Sequence, residues 1–144
     1  MEIIKELEWD MWHRILNHDS KCRNLHWHRY KIHITLEGEI IDVSGNSSDG
    51  MLIDFWDIKK IANSVIQEEL DHGYMGQEWD PILEVAKRLW LKTIEVPFVP
   101  TAENIAHWLF GKFEAMYQDT FHTNLKLKKI TLFETPTSYV VCQK

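Results

Sequence analysis

Two histidines one residue apart, His26 and His28, stand in a stretch that also carries Cys22 and, further upstream, His13. In an extended chain, residues two apart project to the same side, so both imidazoles can reach one metal ion. A catalytic zinc takes three protein ligands and keeps a fourth position open, and two such histidines plus a third from another segment build that set. His13 is the best third. His18 lies in polar loop sequence, and His33 falls on the opposite strand face. A His-x-His pair on its own is equally familiar as two surface histidines. Cys22 extends the pattern to Cys-x-x-x-His-x-His. Its sulfur could be a fourth ligand, closing the site as a structural one, or a free thiolate acting as base or nucleophile.

The same region is cationic within an acidic protein. Between His13 and His33 stand Arg14, Lys21, Arg23, Arg29 and Lys31 against the single acid Asp19, whereas the whole chain carries a net −6. An acidic chain argues against general nucleic-acid binding, while a local positive strip suits either a small anion or a solvated strand. With 144 residues, 44% hydrophobic and 26% charged, the chain suits one domain over 1–144 with its own core. No apolar run approaches the ~18 residues of a membrane span. The first residues lack a basic region leading into an apolar segment, so a cytoplasmic protein is expected. In that reducing setting Cys22 and Cys142 are expected as free thiols.

Particular elements must position these groups. From His28 to Leu36 the even positions His28, Tyr30, Ile32, Ile34 and Leu36 alternate with Arg29, Lys31, His33 and Thr35, which predicts a half-buried strand. A first strand over Ile3 to Trp12 would deliver His13 at its end. After a polar loop over 44–50, Met51-Leu52-Ile53 is expected to rejoin the sheet. Ile58, Ile61, Ala62, Val65, Ile66 and Leu70 share a helical stripe, with Asp57 as cap and Gly73 as stop. A second helix from Asp80-Pro81 is expected to bury Ile82, Val85, Ala86 and Leu89. A third, capped by Thr101, buries Ile105, Trp108, Leu109, Phe113 and Met116. Lys126 to Glu134 alternates again, with Ile130, Leu132 and Glu134 on one side, and Ser138 to Cys142 closes a hairpin. Strands, then helices, then strands describe an α+β domain with helices on one face of an antiparallel sheet. The other face needs cover, which self-association would supply.

His13-Arg14 and Lys21-Cys22-Arg23-Asn24-Leu25-His26-Trp27-His28-Arg29-Tyr30 together resemble the zinc and cysteine motif of the 6-pyruvoyltetrahydropterin synthase and 6-carboxytetrahydropterin synthase family. Gly50-Met51-Leu52-Ile53-Asp54-Phe55, Leu70-Asp71-His72, Pro100-Thr101-Ala102-Glu103-Asn104 and Glu134-Thr135-Pro136 follow in the family's order, so the resemblance covers nearly the whole chain. It implies zinc on His13, His26 and His28, Cys22 as the proton-abstracting thiolate, and Asp71 with His72 as a relay to it. It also implies that Glu134 anchors the pterin. A semi-buried carboxylate needs donors such as the paired N–H groups of an amino-pyrimidinone edge, or else water at a turn. Thr101 and Glu103 match a segment beside the pterin, although a helix cap and a first-turn acid account for them too. Asp71-His72 also reads simply as polar residues ending a helix.

The three-residue interval between Cys22 and His26 is similar to the bacterial carboxytetrahydropterin synthases. That branch implies conversion of 7,8-dihydroneopterin triphosphate to 6-carboxy-5,6,7,8-tetrahydropterin, with acetaldehyde and triphosphate released, in preQ0/queuosine-type deazapurine biosynthesis. The alternatives are a 6-pyruvoyltetrahydropterin synthase and a non-catalytic zinc and pterin-binding module. The implied fold is the tunnelling fold: a four-stranded antiparallel sheet with helices on one face, subunits joining edge to edge into a barrel. A homo-oligomer follows, a hexamer by resemblance, with sites at subunit interfaces and a pterin triphosphate as partner rather than nucleic acid or membrane. Two positions depart from the family's pattern: Trp27 replaces a glycine, and Met75-Gly76 replaces a Leu-Asn pair.

Overall fold

The computed structural model describes residues 1–121 and 125–144. In chain order the elements are β1 (Glu2–His13), β2 (His26–Glu37), α1 (Phe55–Val65), β3 (Tyr74–Gln77), α2 (Pro81–Arg88), β4 (Thr93–Val96), α3 (Ala102–Thr120), β5 (Lys126–Thr135) and β6 (Ser138–Gln143). β1 and β2 pair antiparallel from Glu2 opposite Glu37 to His13 opposite His26. The expected alternation holds along β2 as far as Ile34, with Tyr30, Ile32 and Ile34 buried and Arg29 exposed, and breaks at the register shift between Thr35 and Leu36, both of which are buried.

The sheet has six strands in the order β4-β3-β1-β2-β5-β6, not the four expected. The additional strands, β3 and β4, have four residues each, too few for alternation to be visible. They run parallel to β1 and to each other, so the sheet is mixed rather than antiparallel throughout. Their pairing depends on α2 as the crossover between them. Met51 to Ile53 forms no strand. The segment folds back on its own loop, where Ile41 N–H donates to Met51 C=O at 2.8 Å and Gly50 N–H donates to Ile41 C=O at 2.8 Å.

The helices cover one face. α1 is capped by Asp54, whose carboxylate accepts from Trp56 N–H at 2.8 Å, so Asp57 sits in the first turn instead of at the cap. Its stripe of Ile58, Ala62 and Val65 continues into a π-helical turn over Ile66–Leu70. α2 is capped by Asp80, with Pro81 at its first position, but it buries Leu83 and Ala86 while Val85 and Leu89 stay exposed and Ile82 only partly covered. The helix has two adjoining apolar stripes, and Leu83 is selected because it packs over Gly76 of β3. A Cβ at Gly76 would stand 2.9 Å from Leu83 Cγ. α3 buries Ile105, Leu109 and Phe113 as expected, with Trp108 and Met116 at the margin. These helices meet Trp9, Met11, Tyr30, Ile32, Ile130 and Leu132 of the sheet in one core.

The helix-free face, expected to be apolar and in need of cover, is polar at its centre along β1 and β2. Glu6 pairs with His33, and Glu8 and Asp10 both pair with Arg29, while Lys31 lies over the Phe133 ring. Such exposed pairs contribute about 0–1 kcal/mol each and sit comfortably in water. Apolar side chains on this face stand in Ile4, in Trp12 opposite Trp27, and along β5 and β6 in Phe133, Tyr139 and Val141.

Candidate active site

The β1–β2 register gathers the histidines. His13 faces His26 directly across the ladder, and His28 follows on the same side of β2. The ring centroids lie 4.5 Å (His13–His26), 4.9 Å (His26–His28) and 5.2 Å (His13–His28) apart. One ligand atom from each lies within 4.8 Å of the others, the one such cluster of His, Cys, Asp and Glu among the described residues.

Backbone carbonyls orient two of the rings. His13 Nδ1–H donates to Pro100 C=O at 2.8 Å, and His26 Nδ1–H donates to Asn24 C=O at 2.8 Å. A carbonyl only accepts, so the proton is on Nδ1 and the Nε2 lone pair is left for a metal. His13 is buried. Burial pushes its imidazole down to about 4, with His26 and His28 adding to the effect and the Pro100 bond opposing it. Burial likewise lowers His28. Both rings are therefore neutral at pH 7, the form that ligates, and the donor set fits a metal ion.

Glu134, at the end of β5, brings Oε1 to 3.6 Å from His13 Nε2 and 3.8 Å from His28 Nε2. Burial pushes its carboxyl up, and Glu103 adds to this while His26 opposes it. A pocket of about 370 Å³ lined by Trp27, His28, Arg29, Lys31, Phe133 and Glu134, among others, adjoins the cluster. Thr101 caps α3, its Oγ1 accepting from Asn104 N–H at 3.3 Å, with Glu103 exposed in the first turn. The preceding residue is Pro100, so the start of α3 abuts His13.

Cys22 lies half-buried in a short 3-10 turn over Lys21–Arg23, its carbonyl accepting from Ile15 N–H at 2.8 Å. Its sulfur is outside the histidine cluster. Asp71 and His72 do come together, with His72 Nδ1 2.8 Å from Asp71 Oδ2. Asp71 Oδ1 accepts from Asp10 N–H at 3.0 Å. Against the effect of burial, that bond together with His72 and Lys92 holds the Asp71 carboxyl below the usual range. Among the described residues no hydrogen bond joins this pair to Cys22. His18 and His33 lie elsewhere: His18 accepts from Ser20 N–H, and His33 is 2.7 Å from Glu6.

One side chain at the site escaped the sequence reading as a functional group. Tyr30 is buried with its hydroxyl 3.4 Å from both ring nitrogens of His13. Burial, reinforced by Glu134, raises its phenol well above the ordinary value, so it stays protonated. Its place on the even-numbered face with His26 and His28 was the available signal. Arg14, one of the cations considered for an anion, instead forks onto Asp80 at 2.8 and 2.6 Å. With Arg29 on Glu8 and Asp10, Lys21, Arg23 and Lys31 remain without an ion pair among the described residues, Lys31 lying over the Phe133 ring in the pocket.

Comparison with known proteins agrees with the motifs. The profile of the 6-pyruvoyl tetrahydropterin synthase family matches residues 2–144. A 6-carboxy-5,6,7,8-tetrahydropterin synthase of Haemophilus influenzae is 35% identical over 147 residues, covering 99% of each chain. That of Rickettsia bellii is 35% identical over 145 residues, covering 94% of this chain and 95% of its own. The structure of Caenorhabditis elegans 6-pyruvoyl tetrahydropterin synthase aligns with a TM-score of 0.70 at 23% identity, over 100% of this chain and 95% of that one, a likeness of α+β fold. A profile match from residue 2 to the last residue, with relatives similar over nearly their full length, leaves one assignment: this chain belongs to the 6-pyruvoyl tetrahydropterin synthase family.

Proposed function

We propose that the chain is a zinc-dependent 6-carboxy-5,6,7,8-tetrahydropterin synthase acting on 7,8-dihydroneopterin triphosphate. The observation that carries this is the convergence of three imidazoles, two oriented through Nδ1, with the Glu134 carboxylate beside their Nε2 atoms. His13, His26 and His28 would hold the metal. Bound there, zinc supplies Lewis acidity toward the oxygens of the substrate side chain.

The remaining work falls to the chain's own groups. Glu134, half-buried and short of donors, takes the amino-pyrimidinone edge of the pterin, with Thr101 and Glu103 flanking it. Cys22 removes a carbon-bound proton, and the Asp71–His72 pair shuttles it. Lys21, Arg23 and Lys31 are the cations free of an ion pair, among the described residues, to meet the triphosphate. Because no bond joins Cys22 to Asp71–His72 among the described residues of one chain, the reading calls for a homo-oligomer, a hexamer by resemblance, in which the pair of one subunit serves the cysteine of another.

The named relatives at 35% identity favour the carboxy product, and we assign the reaction by resemblance to preQ0/queuosine-type deazapurine biosynthesis. We place the enzyme in the cytoplasm; no described helix is long and apolar enough to cross a membrane. The test is a product assay by mass after incubation with 7,8-dihydroneopterin triphosphate. 6-Carboxytetrahydropterin with acetaldehyde is the expected outcome. A 6-pyruvoyl product would move the chain to the other activity, and no conversion by zinc-loaded protein would leave a binding module.

A further inference from the structure

Lys92 belongs to none of the motifs that point to chemistry and lies in the connection from α2 to β4. Its side chain nevertheless ends on the turn that carries Asp71 and His72. The ammonium Nζ donates to the carbonyl of Asp71 at 2.8 Å and to that of Gln67 at 3.4 Å. These acceptors lie at the end of the α1 and π-helical run, where unpaired carbonyls carry partial negative charge and a cation is favourable. The stem of Lys92 passes over Gly73: a Cβ built at Gly73 would stand 3.5 Å from Lys92 Cγ and would overlap Ile94 Cδ1. The missing side chain lets Lys92 and β4 close on the turn.

The two atoms of the turn that are held belong to one peptide unit. The carbonyl that Lys92 grips and the His72 N–H, which donates to Asp10 C=O at 2.7 Å, are the two ends of the peptide plane between Asp71 and His72. Fixing that plane fixes ψ of Asp71 and φ of His72, the dihedrals that decide how the carboxylate and the imidazole face each other. The φ of His72 is 60°, a left-handed conformation that a non-glycine residue keeps only where its surroundings over-determine it. β1 supplies one restraint and Lys92 the other.

We infer that Lys92 is a positioning residue for the Asp71–His72 pair, clamping the peptide plane between them so that the imidazole stays on the carboxylate. This rests on the proton-relay reading of that pair. Lys92 has a second influence. The charged groups that act on the Asp71 carboxyl are Lys92 from the β4 side and His72 beside it, while β1 contributes only the Asp10 N–H. Asp10's own carboxylate is engaged with Arg29 at 3.1 Å. Removing the Lys92 cation lets Asp71 hold its proton to higher pH.

The experiment compares Lys92→Met, Lys92→Gln and Lys92→Arg with His72→Ala in the zinc-loaded full chain. Lys92→Met and Lys92→Gln should lower kcat about 10- to 100-fold, the scale of a misplaced group, with KM and zinc content unchanged. The acid limb of their pH–rate profile should move to higher pH, and Lys92→Arg should restore most of the loss. If Lys92→Met lowers only the thermal midpoint and turns over normally while His72→Ala is inactive, Lys92 is merely a helix-end contact and the inference is overturned. If His72→Ala turns over normally, the relay reading fails and this inference goes with it.

Discussion

Glu134 on β5 sets a carboxylate oxygen 3.6 Å from Nε2 of His13 on β1, the nitrogen that the Pro100 hydrogen bond leaves available. A half-buried carboxylate in that position has two uses, anchoring a substrate by its N–H groups or joining the metal's ligands. Glu134→Gln separates them. As an anchor it should leave zinc near stoichiometric and raise KM by about 10-fold or more, the worth of a charge-assisted hydrogen bond. Loss of zinc, measured by atomic emission, would assign Glu134 to the metal instead.

The ligand set makes its own prediction. His28→Ala and His13→Ala should each lose most of the bound metal, since two remaining imidazoles do not complete a three-ligand site. His18→Ala and His33→Ala should retain it, because those rings are occupied with Ser20 and Glu6. Metal content of the four purified variants decides the matter.

Cys22→Ala should keep zinc and still bind the pterin, while product formation falls by ~10²-fold or more, as for loss of a general base. Cys142→Ala, on β6 away from the cluster, should change little. Metal content and turnover measured on the same preparation distinguish a base from a ligand: zinc lost together with activity would place Cys22 in the metal shell.

The Arg14–Asp80 pair should matter for stability. Asp80 is 2% exposed and accepts from Arg14, Ile82 N–H and Tyr74 hydroxyl. Arg14→Ala strands a buried carboxylate at the cap of α2 and should cost about 3–5 kcal/mol. Burial opposes ionisation of Asp80, but the Arg14 bond and its two companions outweigh it and depress the carboxyl. A depressed carboxyl stabilises the fold above the ordinary aspartate range, and that contribution is lost as pH falls through the folded-state value. The wild-type advantage over Arg14→Ala in thermal midpoint should thus be full at pH 7 and shrink as the pH drops below about 4.

Light scattering should give a mass at a multiple of 17.2 kDa, because the Cys22 and Asp71–His72 groups are not joined within one chain. A stable monomer with full turnover would remove the shared site.

Local patterns were the legible part of this fold. The alternation from His28 to Ile34 correctly separated the faces of β2, and with His13 at the end of a strand it located the histidine cluster. The stripe of α2 was misread because Ile82, Val85 and Leu89 repeat as well as Leu83 and Ala86 do, and only the vacancy over Gly76 chooses between them. β3 and β4 went unseen because a four-residue strand has no period to detect. Asp54 displaced Asp57 as cap by three residues, because an acid suits both the cap and the first turn. Contacts from distant segments, such as Pro100 on His13 or Lys92 on Asp71, leave no mark in local sequence at all.

The left-handed backbone of His72 opposes thermostability to activity. An L-residue there costs roughly 1–2 kcal/mol relative to glycine's freedom. A selection for resistance to heat alone would therefore favour His72→Gly, relieving the backbone and deleting the imidazole in one step. On the relay proposed for His72, stabilised variants are best screened with turnover in the same assay, because at this position the more durable protein is the one that has lost the imidazole.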